Sequence, residues 1–181
     1  MKKVLLHICC PNCATVCIER LRKEGFCVYG YFYNPNIHPH SEYEKRKADL
    51  DVIRHEYDIE IIEGCCNPLV WWEEIKGYEQ EPEGGSRCSL CFGLRLRYTY
   101  NYMLSRNMDF FTTTLTISPH KNSRLVNETG SNISRDKFLI RDFKKSGGFQ
   151  DSLKLSRQFN FYRQDYCGCI PSKNEKRYPQ D

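Results

Sequence analysis

The chain has 181 residues, of which 40% are hydrophobic and 28% charged, with a formal net charge of +4. That composition excludes a disordered chain and is long enough for a single domain, residues 1–181, with its own core. No apolar run approaches the roughly 20 residues that span a bilayer, and the run after "MKK" is too short for a signal peptide, so a cytoplasmic protein with no membrane partner is expected.

Residues 3–8 read as a buried strand, being a short apolar run. Residues 14–23 read as a helix that ends near Gly25. "FCVYGYFY", residues 26–33, is a second strand closed by the turn signal "NPN". Residues 41–57 predict a charged helix, with Ser41 as N-cap and Glu44 in the capping-box position. "IEIIE", residues 59–63, alternates like a strand, and residues 68–77 form a short helix with Trp71 and Trp72. After the break "EPEGGS" comes a long helix, about residues 88–106. The strand "DFFTTTLT", residues 109–116, leads into the loop "ISPHKN". A helix near 122–132, a strand near 137–141 and a helix near 149–159 follow. The end, "YCGCIPSKNEKRYPQD", reads as irregular. This alternation predicts an α/β fold, a five-stranded parallel sheet with helices on both faces. Such folds bind ligands at the carboxyl ends of the strands, where "HICCPNC", "YNPN" and "SPHKN" all fall.

In a reducing compartment the eleven cysteines favour metal binding or redox chemistry over structural disulfides. Three groups stand out: Cys9, Cys10 and Cys13; Cys88 and Cys91; Cys167 and Cys169. A spacing of three puts Cys88 and Cys91 on one helical face, and Gly168 supplies backbone freedom between its neighbours. These seven thiols exceed the four that a zinc site or an iron–sulfur cluster requires. The surplus points to a cluster with a further metal, or to a redox pair. Cys17, Cys27, Cys65 and Cys66 read as small buried hydrophobes. "SGGFQDS", residues 146–152, imitates a phosphate-binding loop, but it has one residue too many and stands far from the first strand. Its glycines read as a turn, with Asp151 or Ser152 near the start of the next helix.

Charge is unevenly spread. Residues 42–83 hold 13 acidic and 5 basic side chains, and residues 84–181 hold 17 basic and 8 acidic ones. The basic half suits either a polyanion partner or solvated helix faces.

"HICC", "YNPNIHPHSEYEKR", "RCSLC", "TTTLTISPHKN" and "YRQDYCGC" occur in an order and at separations that resemble the QueH-type epoxyqueuosine reductases. The resemblance runs from Leu5 to Cys169. It implies a Rossmann-like domain similar to the nucleotide-binding domain of tRNA-thiolating enzymes, with the phosphate loop lost. The implied activity is the last step of queuosine biosynthesis, in which epoxyqueuosine at the tRNA wobble position loses its epoxide oxygen. The implied cofactors are a 4Fe-4S cluster and an additional iron ion, without cobalamin. The implied partners are the tRNA anticodon stem-loop and an electron donor that the sequence does not identify. Family members commonly read CCAPC or CCAPD where this chain reads "CCPNC".

The resemblance puts Cys9, Cys10, Cys88, Cys91 and Cys167 among the metal ligands, with Cys13 and Cys169 completing the pool. His7 is open to three roles: ligand, proton donor or core residue. Tyr166 is a candidate proton donor by its place beside Cys167. Tyr33, Asn34 and Asn36 are candidates for contact with a flipped base, against the alternative of turn chemistry. Thr113, Thr114, Ser118 and Lys121 are candidates for ribose or phosphate, and Arg163 for phosphate. Competing readings are a zinc-binding RNA module, a thiol–disulfide oxidoreductase using Cys167 and Cys169, and an ATP-dependent tRNA thiolase.

Overall fold

The apolar run behind the two N-terminal lysines forms β1, Lys3–His7, and its four residues after Lys3 are buried. The computed structural model describes residues 1–175. Burial on both faces makes such a run the central strand of a parallel sheet. It pairs in parallel with β2, Cys27–Phe32, on one side and with β4, Phe110–Thr113, on the other. The short β3, Ile61–Glu63, extends the sheet beyond β2, giving the order β3-β2-β1-β4.

Alternation along β1 sorts the core. Val4 and Leu6, with Ile8 just beyond the strand, pack with α1, Pro11–Lys23, through Ala14, Ile18 and Leu21. The same layer holds Leu50 and Ile53 of α3, Leu50–Glu56, and stands near α7, Gly148–Gln158. Leu5 faces the other way, onto Leu96 and Met103 of α5, Ser86–Ser105. α6, Ser123–Ile133, packs on α5 and brings Gly130 against the Phe138 ring, where a Cβ would stand 2.4 Å away. The remaining helices are α2, His40–Ala48, α4, Pro68–Glu74, and the short α8, Ile170–Asn174. None of the helices among the described residues is long and apolar enough to cross a membrane.

Four elements depart from expectation. The sheet has four strands rather than five, because residues 137–141 contribute only the single bridge Phe111↔Phe138. Beyond it, the Thr112 hydroxyl donates to Leu139 O at 2.9 Å and the Asn127 amide donates to Arg141 O at 3.1 Å, so side chains take the place of a ladder. β4 ends at Thr113, whose Oγ1 accepts from Leu115 N at 3.1 Å and turns Thr114–Ile117 into a 3-10 turn. The charged helix over 41–57 is two helices that break at Asp49, whose carboxylate accepts from Tyr162 N at 2.7 Å. Ser41 does not cap it. The helix starts at His40 with Pro39 in the cap position and no side-chain cap bond. The irregular tail is described to residue 175 and carries α8; residues 176–181 lie outside the described residues.

The "SGGFQDS" glycines do form a turn: Gly147 has φ +75° and α7 begins at Gly148. A Cβ on Gly148 would stand 1.9 Å from Phe143 O and 2.9 Å from Arg20 Nη2. The glycine is therefore required by packing, independently of any phosphate. Gly148→Ala is expected to destabilise the protein by about 1–3 kcal/mol. An unchanged urea midpoint would mean that the turn yields freely.

Candidate metal centre

The chain leaves β1 at His7 and enters α1 at Pro11, so Cys9 and Cys10 sit at the carboxyl end of the central strand. Cys10 is the N-cap residue, with extended backbone, and Pro11 occupies the first turn, where its missing N–H is no loss. Cys13 follows in that turn, its N–H donating to Cys10 O at 3.2 Å. The Cys10 sulfur thereby lies 3.7 Å from that of Cys9 and 3.2 Å from that of Cys13. All three sulfurs fall within 4.8 Å of one another. Thr114 Oγ1 accepts from Cys9 N at 3.0 Å and donates to the Cys9 sulfur at 3.2 Å.

The three thiols share their protons as one unit. The hydrogen bonds with Cys10 and Cys13 hold Cys9 well below the usual thiol range, with Lys121 and Arg95 adding to the effect. Those with Cys10 and Cys9, together with burial, hold Cys13 well above it. Three convergent soft donors, one already favouring the thiolate, are the donor set that thiophilic metals select.

In the second group of thiols, Cys88 and Cys91 stand on the first turns of α5 and Cys169 is the residue ahead of α8. Cys88 is pushed up to about 12, chiefly by burial, with the charges of Cys167, Cys91 and Cys169 also raising it, although Gly84 N–H donates to its sulfur at 3.2 Å. Cys91 and Cys169 pack with Trp71 and Leu94, while Cys88 packs with Cys9 and Cys10. Among the described residues only Cys9, Cys10 and Cys13 bring three potential ligands within 4.8 Å. No three of the other four thiols come within that distance of one another, although their charges act on each other.

Three buried guanidinium groups flank the thiols: Arg87, which pairs with Glu175 at 2.9 Å, Arg46 and Arg95. Arg46 pairs with Glu42 at 2.7 Å and donates to the carbonyls of Tyr166 at 3.1 Å and Cys167 at 2.9 Å, so it holds the loop bearing the last two cysteines. Arg95, 2% exposed, donates to Asn34 Oδ1 at 2.6 Å and has no carboxylate partner among the described residues. Its Nε, like Trp71 Nε1, is buried with no hydrogen-bond acceptor among the described residues. Both side chains favour the Cys91 thiolate, although burial raises that thiol overall. A lone buried cation and orphaned donors beside thiols are the surroundings that an anionic metal–thiolate group stabilises. The residues present fit an iron–sulfur centre.

A cavity of about 150 Å³ opens beside Cys9 and Cys13. Ser118, Lys121, Arg163, Tyr166 and Cys167 line it. Tyr33, Asn34, Asn36, Thr113 and Thr114 do not. Tyr33 is 2% exposed and stacks on Tyr98 at 4.4 Å. Asn34 donates to Ile8 O at 2.9 Å and accepts from Arg95, so both ends of its amide are used. Asn36 is buried, with its Oδ1 unpartnered. The Thr113 and Thr114 hydroxyls serve the chain itself, holding Leu115 N, His7 and Cys9. His7 is wholly buried, its Nδ1 2.9 Å from Thr113 Oγ1 and its Nε2 3.2 Å from Tyr33 O. Burial above all, and then the Arg95 charge, lower its pKa to about 3. Of its three possible roles, this geometry matches the core residue.

The family model described as Epoxyqueuosine reductase QueH matches residues 4–175. The chain belongs to this family. A relative named Epoxyqueuosine reductase QueH from Streptococcus pyogenes serotype M1 is 36% identical, over 92% of this chain and 69% of its own length. One of the same name from Thermotoga maritima is 34% identical, over 98% of this chain and 93% of its own. Among solved structures, a predicted tRNA methyltransferase subunit from Methanocaldococcus jannaschii covers 87% of this chain and 75% of its own, with a TM-score of 0.55 and 9% identity. That likeness shows the α/β fold alone.

Sequence reasoning missed four members of this QueH site: Arg46, Arg95, Asn12 and Gln164. Arg46 and Arg95 sit on charged helices and look like solvated residues. Asn12 joins Tyr162 O at 2.7 Å, Gln164 Oε1 at 3.1 Å and Ser156 Oγ at 2.6 Å. Its signal was its place between two cysteines, in a position where a packing residue would serve.

Proposed function

We propose that this chain performs the reaction for which its family is named, removing the epoxide oxygen of epoxyqueuosine at the tRNA wobble position with a 4Fe-4S cluster and an additional iron. The observation that carries the reading is the Cys9–Cys10–Cys13 convergence at the edge of a cavity on the carboxyl rim of the sheet. The reaction consumes two electrons and two protons and yields an alkene and water. When bound, the iron–sulfur centre supplies electrons singly and a Lewis-acidic iron. Cys9, Cys10 and Cys13 would hold metal from one side and Cys88, Cys91, Cys167 and Cys169 from the other.

The protein's own share is to bind, orient and protonate. Ser118, Lys121 and Arg163 bring polar and cationic groups to the cavity, where phosphate and ribose of the anticodon loop fit. Tyr166 lines the cavity and donates its hydroxyl to His38 O. Burial pushes its pKa up to about 12, so the phenol stays protonated, and a transfer to substrate would use the hydrogen now held on His38 O. His7 ties β1 to β4 and β2 and serves position rather than proton transfer.

The deciding experiment is iron and acid-labile sulfide per chain after anaerobic reconstitution, followed by nucleoside analysis of epoxyqueuosine tRNA incubated with reductant. Iron, sulfide and queuosine together support the reading. Zinc without sulfide would favour a structural RNA-binding module, and metal-free turnover a thiol–disulfide enzyme. Arg163→Ala is expected to lower the salt slope of anticodon stem-loop binding by about 1. An identical slope in a titration from low to high salt would take Arg163 off the phosphate path.

A further inference from the structure

We propose that Gln164 is a positioning residue that presents an N–H donor to the Cys10 sulfur and thereby raises the reduction potential of the iron–sulfur centre. This rests on the reading of the site given above. The Cys10 sulfur, 1% exposed as a residue, lies 3.2 Å from Gln164 Nε2.

The direction of that bond follows from its surroundings. The Tyr162 carbonyl can only accept, and it lies 2.7 Å from one end of the Asn12 amide, which must be Nδ2. The other end, Oδ1, accepts from the Ser156 hydroxyl at 2.6 Å. Asn12 Nδ2 has a second hydrogen, aimed at one end of the Gln164 amide 3.1 Å away, which must be Oε1. The end that remains for sulfur is therefore Nε2. Turning Gln164 over would set its Nε2 against the Asn12 donor and its carbonyl against an electron-rich sulfur.

Three parts of the chain meet in this relay: the first turn of α1, the face of α7 and the loop ahead of Cys167. Asn12 is the piece on which the relay depends, because a residue there without a side-chain donor would leave the glutamine unoriented. A hydrogen bond to a charged acceptor strengthens with its charge. The reduced centre holds one more electron than the oxidised one, so the Gln164 donor stabilises it more and moves the potential upward.

The test is an EPR-monitored redox titration of reconstituted protein, with iron and sulfide counted first. Gln164→Leu is expected to load like wild type and to titrate at a more negative potential. Gln164→Glu, which keeps the shape but replaces the donor by a carboxylate, shifts it further. Asn12→Ala shifts it in the same direction by releasing the glutamine. The Asn12→Ala/Gln164→Leu double variant matches Gln164→Leu alone, because the two changes act on one bond. If Gln164→Leu does not load, the comparison is made in Gln164→Glu. Loaded variants with the wild-type potential overturn this inference and leave the site standing. Wild-type protein that takes up neither iron nor sulfide overturns the reading of the site, and this inference with it.

Discussion

Replacing Cys10 by alanine is expected to leave a folded chain with almost no acid-labile sulfide and a loss of reductase activity greater than about a hundredfold, the upper end seen when mere outer-shell partners are removed. Cys10 is the middle sulfur of the trio, 3.7 Å from Cys9 and 3.2 Å from Cys13. The change removes one buried heavy atom, which costs about 1 kcal/mol. Cys10 caps α1 by backbone geometry, without a side-chain cap bond, so alanine keeps the helix start. Cys17→Ala is the matched control. It lies about two turns further along α1, is 0% exposed and donates to Cys13 O at 3.0 Å, yet it faces the core. It should lose comparable stability and keep its iron. The same loss of sulfide is expected of Cys88→Ala and Cys91→Ala. Full cluster content in either variant removes that cysteine from the ligand set, and equal iron in the Cys10 and Cys17 variants would sink the trio as a metal site.

The parts of this site that could be read from the sequence are those whose chemistry is local. "HICCPNC" announces itself because three thiols in a loop have few other uses. A short apolar run places it at a strand end, and parallel topology places strand ends on one rim. What was not legible depends on distant parts of the chain. Asp49 breaks its helix because Tyr162 N, far along the sequence, takes its carboxylate. The strand near 137–141 has the composition of a strand, but the side-chain bonds of Thr112 and Asn127 draw its residues off the ladder. Asn34 lies in good turn chemistry and does sit in a turn, but its amide spans Ile8 and Arg95 instead of facing a ligand. A helical arginine is indistinguishable from a solvated one until its neighbours are known. Arg95 is the costliest case, because it is the charge on which the site's electrostatics turn.

Arg95→Met is expected to have opposite consequences in the two forms of the protein. In the metal-free chain the guanidinium is buried, with Asn34 Oδ1 as its acceptor and no carboxylate partner among the described residues. Removing a buried cation that has no counter-charge relieves its desolvation cost, and even whole buried ion pairs are often replaced by hydrophobic groups at no loss or with a gain of about 1–4 kcal/mol. Against this stands the lost donor to Asn34 Oδ1, which leaves a buried acceptor unpaired at about 1–3 kcal/mol. The two nearly offset, so the metal-free variant should melt close to wild type. In the loaded protein the same cation faces thiolates. It already favours the Cys9 and Cys91 anions, and removing one member of a buried charge pair costs about 3–5 kcal/mol. The stabilisation gained on loading should therefore shrink by several kcal/mol, about the amount just given for a broken pair, and a chelator should strip iron faster. Melting temperatures measured on both forms, with iron counted before and after chelation, separate the alternatives. A variant that falls equally in both forms would show that Arg95 serves only as the partner of Asn34, and the anionic group would then draw its compensation from Lys121 and Arg46 instead.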